Sequence, residues 1–303
     1  MHGNVLPGLA SLRASIRDLG CTAGLSHFVH GLLFAAPGRR QAALSFAEQP
    51  PDAALDAAAA SAPPMVLPAP SAAHLSLFTA TWNLGEQGPP SSELLASWLP
   101  KGRHVYALAL QECLHVPEFT AAALGALGRL QGQDGAYTAH CHSIGSSNTS
   151  LGFHGYIVVL VLVRADLERS GDFAEVHVAA RTVHRGKKIL PKWLMRRQPN
   201  KGAVGCAFRC HGTTIAFVAA HLASDTKGRS NLDGRLADTR ALLEGMELAY
   251  DLGGFELQLC CHHVVLLGDL NYRVAMPAPE ALELMASGDW EGLRGADELS
   301  SAM

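Results

Sequence analysis

The chain has 303 residues, 48% hydrophobic and 17% charged, with a formal net charge of −3. Length and apolar content suffice for one large α/β domain, or one domain plus a tail, and the slight acidity excludes a nucleic-acid binder that works by bulk charge. Any anion site has to be local, and the longest strongly apolar run, Ile157 to Val163, falls far short of the ~20 residues of a membrane span.

The first 73 residues differ in composition from the rest. Leu9 to Phe34 is weakly amphipathic and reads as one or two helices. Gln49 to Ala73, with Pro50-Pro51 and Pro63-Pro64, reads as a flexible Ala/Pro-rich linker. Residues 1–73 are thus expected to be a low-complexity extension. Arg13, Arg17, Arg39 and Arg40 with few acids give it a faint likeness to an organelle transit peptide, against which stands a disordered extension.

The folded domain is placed at residues 74–303. Leu75 to Thr81 alternates and reaches Trp82-Asn83, a first strand ending on a polar residue. Glu93 to Leu99 is a short helix capped by Ser91 or Ser92. Val105 to Leu110 is a second strand, ending on Gln111-Glu112, and Phe119 to Leu130 a helix. Tyr156 to Arg164 and Ala174 to Val183 are strands. Next comes the strongest basic cluster: Arg181, Arg185, Lys187, Lys188, Lys192, Arg196, Arg197 and Lys201. Ala203 to Cys210 and Thr214 to Ala220 are further strands, the second ending on His221, and Leu232 to Leu248 reads as a long amphipathic helix. Val264 to Leu267 is a continuous apolar run, the signature of a strand buried on both faces. Gly268 turns the chain, and Asp269 and Asn271, two apart, face one side of an extended backbone. Pro279 to Met285 is a helix, and no strand pattern follows Gly292.

The 7 cysteines are an odd, scattered set that suggests a reducing compartment. Cys206, Cys210 and His211 lie on a predicted strand, where four residues span about 13 Å, too far for one tetrahedral metal.

Asn83, Glu112, His221, Asp269 and Asn271 each follow an apolar strand closely. Alone, an Asp-x-Asn is a turn, a Glu after a strand a solvated loop residue, and a lone His a satisfied polar group. Together they are how a sheet-based enzyme assembles a site from distant segments. Glu112 is a hard oxygen donor suited to magnesium, with Asn83 beside it. Asp269 can orient a water and take its proton. Asn271 and His221 can donate to phosphoryl oxygens as charge builds on them. Metal-assisted phosphoester hydrolysis is the chemistry this set allows.

In order, Thr81-Trp82-Asn83, Leu110-Gln111-Glu112, Asn200-Lys201-Gly202-Ala203-Val204, Ala220-His221-Leu222 and Gly268-Asp269-Leu270-Asn271-Tyr272-Arg273 resemble the motifs of inositol polyphosphate 5-phosphatases. The resemblance runs from about residue 74 to the C-terminus. It implies a two-sheet α/β sandwich of the endonuclease/exonuclease/phosphatase type with its C-terminal strands missing. It implies Mg2+-dependent removal of the 5-phosphate from phosphoinositides such as phosphatidylinositol 4,5-bisphosphate, or from soluble inositol polyphosphates. It assigns the metal to Glu112 with Asn83, and catalysis to His221, Asp269 and Asn271. Substrate contacts fall to Lys201, Asn200, Arg273, Lys187 and Lys188, with Arg235 and Asp238 on the helix that follows. It also implies a cytoplasmic protein, peripheral at membranes, that binds no nucleic acid.

This sequence departs from the family in three places. Leu236 stands where the family often has Asn. The segment Lys187 to Pro199 is longer and more basic. The family's Trp-x-Asp-Arg and Ser-Asp-His segments have no counterpart before Met303, so the expectation is a partial domain with impaired turnover. A non-catalytic phosphoinositide-binding remnant and a nuclease of the same fold are the alternatives. Tyr272-Arg273 and the lack of overall positive charge speak against the nuclease.

Overall fold

The computed structural model describes residues 9–11, 30–35, 75–131, 136–148, 154–183, 201–210, 212–225, 228–248, 257 and 261–302, the first two stretches as backbone. Its described strands form two mixed sheets packed face to face. One has the order β3 (Leu77–Asn83), β4 (Val105–Cys113), β6 (Gly155–Arg164), β5 (Tyr137–Ser146). The other has the order β1 (Leu9–Ser11), β2 (His30–Ala35), β10 (His263–Asp269), β9 (Thr213–His221), β8 (Gly202–Cys210), β7 (Phe173–Thr182).

The pleat explains why the central strands read as unbroken apolar runs. Val105, Ala107 and Ala109 of β4 point between the sheets, against Phe208, Phe217, Val265 and Leu267. The alternate residues Tyr106, Leu108 and Leu110 point outward onto α1 (Ser92–Trp98) and α2 (Val116–Gln131), where Leu95, Phe119 and Leu127 are buried. On the second sheet Val218, Val264 and Leu266 face outward onto Leu242 of α4 (Leu232–Gly245) and onto Met246 just beyond it. Each such side chain, removed from water on one face or the other, contributes about 1.5–3 kcal/mol. The result is the α/β sandwich expected from the resemblance, with β3–β4 and β9–β10 each running parallel. Their C-terminal ends carry Asn83, Glu112, His221 and Asp269.

Some elements differ from the sequence reading. β5 and the short α3 (Ala165–Arg169) were not expected. β5 is an edge strand with a polar centre, His140-Cys141-His142, and carries no apolar run. The helices expected within Leu9 to Phe34 are corrected where the segment is described: Leu9–Ser11 and His30–Ala35 are strands. Gly31 to Ala35 is a run too short to support a helix, and β2 instead pairs antiparallel with β10 from His263 to Gly268, satisfying backbone groups that would otherwise form an open edge. α4 ends at Gly245, short of Leu248, and its buried side includes Arg235 and Asp238 as well as Leu242. The chain then continues through α5 (Ala278–Ser287), α6 (Trp290–Gly295) and α7 (Glu298–Ala302).

Candidate active site

The parallel pairing of β9 and β10 sets Asp269 beside His221 and Gly268 beside Ala220. Gly268 is required there: its φ is +148°, and a Cβ would lie 1.9 Å from the Ala220 carbonyl oxygen. The His221 Nε2 stands 3.4 Å from Asp269 Oδ2, and the same nitrogen lies 2.5 Å from the Nζ of Lys201, the residue just before β8. Across the sandwich, Asn83 at the end of β3 donates from Nδ2 to Asp269 Oδ2 at 3.0 Å, while its own Oδ1 accepts from the Gly85 N–H at 2.9 Å. The second Asp269 oxygen accepts from the Asn271 N–H at 3.1 Å. Segments from both sheets therefore meet on one carboxylate.

Glu112 is presented differently. The β4–β6 register slips between Leu110 and Cys113, and Glu112 adopts φ +50°, the left-handed region that costs a non-glycine residue about 1–2 kcal/mol. The conformation is held from both sides. The Glu112 carbonyl accepts from the Glu86 N–H at 3.0 Å, and Gly155 packs so tightly that a Cβ would sit 2.9 Å from the Glu112 carbonyl carbon. A bulge of this kind re-aims a side chain at a sheet end, and strain that persists only because its surroundings enforce it is common at functional sites. The Glu112 carboxylate makes no hydrogen bond or ion pair with another described residue, yet its charge acts on both Lys201 and His221.

Burial dominates the electrostatics. It holds His221 below its ordinary pKa, with Asp269 opposing and Lys201 reinforcing the shift. It pushes Lys201 down to about 8, against the pull of Asp269 and Glu112. The one His221 Nε2 faces both the Lys201 Nζ and the Asp269 carboxylate, so it can accept from Lys201 or donate to Asp269 according to its tautomer.

The structure brings Asn83, Lys201, His221, Asp269, Asn271 and Arg273 together, with Glu112 within electrostatic reach. Asn271, expected to face a phosphate, has its amide engaged: Nδ2 donates to the Leu222 carbonyl at 3.0 Å and Oδ1 accepts from Arg273 Nη2 at 3.0 Å. Lys187, Lys188 and Asn200 lie outside the described residues. Sequence reasoning missed Asp225 and Glu298, which lie 2.6 Å from the wholly buried Arg235 guanidinium. An Arg and an Asp three apart on a helix, both facing inward, were the available signal; nothing local points to Glu298.

The residues present fit a divalent cation of the hard kind. Among the described residues no group of three or more His, Cys, Asp or Glu side chains gathers as a metal cage. The Glu112 carboxylate, which pairs with no other described side chain, and the Asn83 Oδ1, which keeps a lone pair beyond the Gly85 N–H, are the kind of sparse oxygen donors that magnesium uses when waters and substrate oxygens complete its shell.

Residues 80–303 match the model of the Endonuclease/Exonuclease/phosphatase family 2. The chain belongs to that family. Among curated proteins it is 26% identical over 231 residues to phosphatidylinositol 3,4,5-trisphosphate 5-phosphatase 2B of Danio rerio, covering 75% of this chain and 18% of that one. It is 28% identical over 241 residues to phosphatidylinositol 3,4,5-trisphosphate 5-phosphatase 2 of Sus scrofa, covering 75% and 17%. A 112-residue stretch is 34% identical to the type I inositol polyphosphate 5-phosphatase 5 of Arabidopsis thaliana, covering 35% and 21%. This family member thus spans less than a quarter of the length of these relatives. Its fold matches the inositol polyphosphate 5-phosphatase domain of Spsynaptojanin, solved with inositol (1,4)-bisphosphate and a calcium ion, with a TM-score of 0.56 at 20% identity over 75% of this chain and 61% of that one.

Proposed function

We propose that the protein is a magnesium-dependent phosphomonoesterase that removes the 5-phosphate from phosphoinositides or soluble inositol polyphosphates. The observation that carries this reading is the Asp269 carboxylate, held by Asn83 on one oxygen and the Asn271 amide on the other beside a buried His221 and Lys201. The similarity to named 5-phosphatases supplies the substrate class. Glu112 and Asn83 would hold the metal, which when bound polarises the phosphoryl group and neutralises its charge. Asp269 is oriented to align a water and accept its proton. Lys201 and Arg273, whose side chain is 40% exposed, offer N–H donors to phosphate oxygens. The basic segment with Lys187, Lys188 and Asn200 is assigned to substrate and to an anionic lipid surface, where each exposed cation adds on the order of 1 kcal/mol. No helix among the described residues is long and apolar enough to cross a membrane.

The test is phosphate release from a panel of phosphoinositide vesicles and soluble inositol phosphates, with magnesium and with chelator. Release lost with chelator, with Glu112→Gln and with Asp269→Ala is the expected result. Release that persists in Asp269→Ala refutes the assignment. Vesicle binding without release in the unaltered protein identifies a non-catalytic phosphoinositide binder. Neutralising Lys187, Lys188, Arg196 and Arg197 should weaken vesicle binding at low salt; unchanged binding removes the lipid-surface role.

A further inference from the structure

We infer that Glu298 is a positioning residue, which fixes the Asp269–Arg273 turn through the Arg273 backbone and the buried Arg235. For its kinetic consequence the inference rests on the phosphatase reading; for its structural consequence it does not.

The turn needs such support. Asn271 is held at φ +58°, and its N–H is one of the two donors that orient Asp269. A strained non-glycine residue keeps its conformation only when its surroundings over-determine it. Asn271 itself is gripped by the Leu222 carbonyl and by Arg273 Nη2. Arg273 is pinned twice to α7: its N–H donates to Glu298 Oε2 at 3.0 Å, and its carbonyl accepts from the Glu298 N–H at 2.9 Å.

Glu298 is not a loose surface acid. Its side chain is 13% exposed, and Oε2 also takes Arg235 Nη2 at 2.6 Å. Arg235 is 0% exposed, gives Nη1 to Asp225 Oδ1 at 2.6 Å, and lies 5.8 Å above the Tyr272 ring. The other Asp225 oxygen lies 3.5 Å from Arg273 Nε. Two carboxylates and two guanidiniums therefore alternate in a closed circuit, Glu298, Arg235, Asp225, Arg273, and back to Glu298 through the Arg273 backbone. The charges cancel, so the buried Arg235 and the nearly buried Glu298 avoid the penalty of an unpaired ion, while Asp225 and Arg273 keep contact with water. The circuit joins α4, the loop after β9, the turn after β10 and α7. It reaches Asp269 through Asn271 and contains Arg273, the proposed phosphate contact, so Glu298 acts on both at one remove.

Two conservative variants separate reach from charge. Glu298→Gln keeps an acceptor long enough for the Arg273 N–H but loses the charge facing Arg235. Glu298→Asp keeps the charge but is one methylene short of that N–H. If Glu298 positions the turn, backbone hydrogen exchange at Asn271 and Arg273 accelerates by roughly tenfold or more in Glu298→Asp and stays near wild type in Glu298→Gln. Turnover follows the exchange and not the melting temperature: kcat/KM falls by about 10²-fold in Glu298→Asp, and stays within a few-fold in Glu298→Gln. A stability role alone predicts the opposite, with kcat/KM unchanged well below melting and Gln, which loses the ion pair, the worse variant in the melt. Unaltered exchange at Asn271 and Arg273 in a folded Glu298→Asp protein overturns the inference. Should the wild-type protein lack turnover, the phosphatase reading is what fails, and the exchange measurement still decides the role of Glu298.

Discussion

Gly268→Ala tests the link between strand packing and the site. A Cβ on residue 268 would lie 1.9 Å from the Ala220 oxygen and 2.8 Å from the Ala220 carbon and nitrogen, all backbone atoms that cannot rotate away. Real Cβ contacts essentially never fall below 3.0 Å, so β10 must move from β9 by about 1 Å, and the φ of +148° adds strain for any L side chain. Overpacking of this kind costs about 1–3 kcal/mol, which in a domain of this size lowers Tm by roughly 2–4 °C per kcal/mol. The functional cost should be larger in relative terms. The next register step pairs Asp269 with His221, so the same shift stretches the 3.4 Å contact between them and the 3.0 Å bond from Asn83. A misplacement of about 1 Å at reacting groups can cost 10²-fold in rate. The assay compares melting and phosphate release in Gly268→Ala and Gly102→Ala. Gly102 is also left-handed, at φ +76°, but a Cβ there meets nothing within 4 Å. It should therefore lose stability of about 1 kcal/mol and keep its rate. Gly268→Ala with turnover within twofold and melting within about 1 °C of wild type would refute the packing argument.

Lys201, with its pKa pushed down to about 8 by burial, loses its proton as the pH passes that value. KM for an anionic substrate should then rise above pH 8, and Lys201→Arg, which stays charged, should flatten that rise; a parallel rise in the variant means another group is responsible. The same shift has a stability sign: between about pH 8 and 10.5 the unfolded chain binds more protons than the folded one, so stability attributable to this site increases with pH. The urea midpoint of wild type should therefore rise relative to that of Lys201→Met across that window, and a relative fall contradicts the shift. Arg235→Leu leaves the nearly buried Glu298 without its cation, while Asp225, 31% exposed, keeps Arg273 and water, and should cost about 1–3 kcal/mol in denaturant unfolding; a loss below about 0.5 kcal/mol would mean the circuit relaxes into water. Deleting residues 1–36 removes β2 and should accelerate hydrogen exchange along His263–Gly268, whereas unchanged protection there would rule out the pairing.

The parts of the fold legible in the sequence are those buried on both faces. Ile157 to Val163 and Val264 to Leu267 are apolar at every position because one pleat face meets the other sheet and the other meets helices. Such runs also locate their own ends, so the polar residues that follow them stood out. β5 was not legible because tertiary partners stabilise its polar centre. His140 lies between Glu168 and Glu175, and His142 Nε2 reaches Glu175 at 2.7 Å, so polar side chains on an edge strand are satisfied by residues some 30 positions away. α4 was legible as a helix but not as a scaffold. Its inward side carries Asp238, which receives the Ala223 N–H at 3.2 Å, and Arg235, so hydrophobic periodicity describes it poorly.

The site was legible as a set of residues and illegible as a division of labour. Asn83, Glu112, His221, Asp269 and Asn271 share one sequence property, position after a strand, and on that ground all five were read as facing a ligand. The structure separates them by what each already holds. Asn271 donates to a carbonyl 49 residues upstream and accepts from Arg273, so its amide serves the turn. Asp269 is oriented from the opposite sheet by Asn83, 186 residues away in sequence. Glu112 pairs with no other described side chain, and its left-handed backbone is one that Gly155, 43 residues later, makes room for. In a buried polar site, function falls to the groups whose hydrogen-bonding capacity the fold leaves unspent. That remainder is fixed by the whole set of long-range pairings, which is why the type of a side chain can be read locally and its availability cannot.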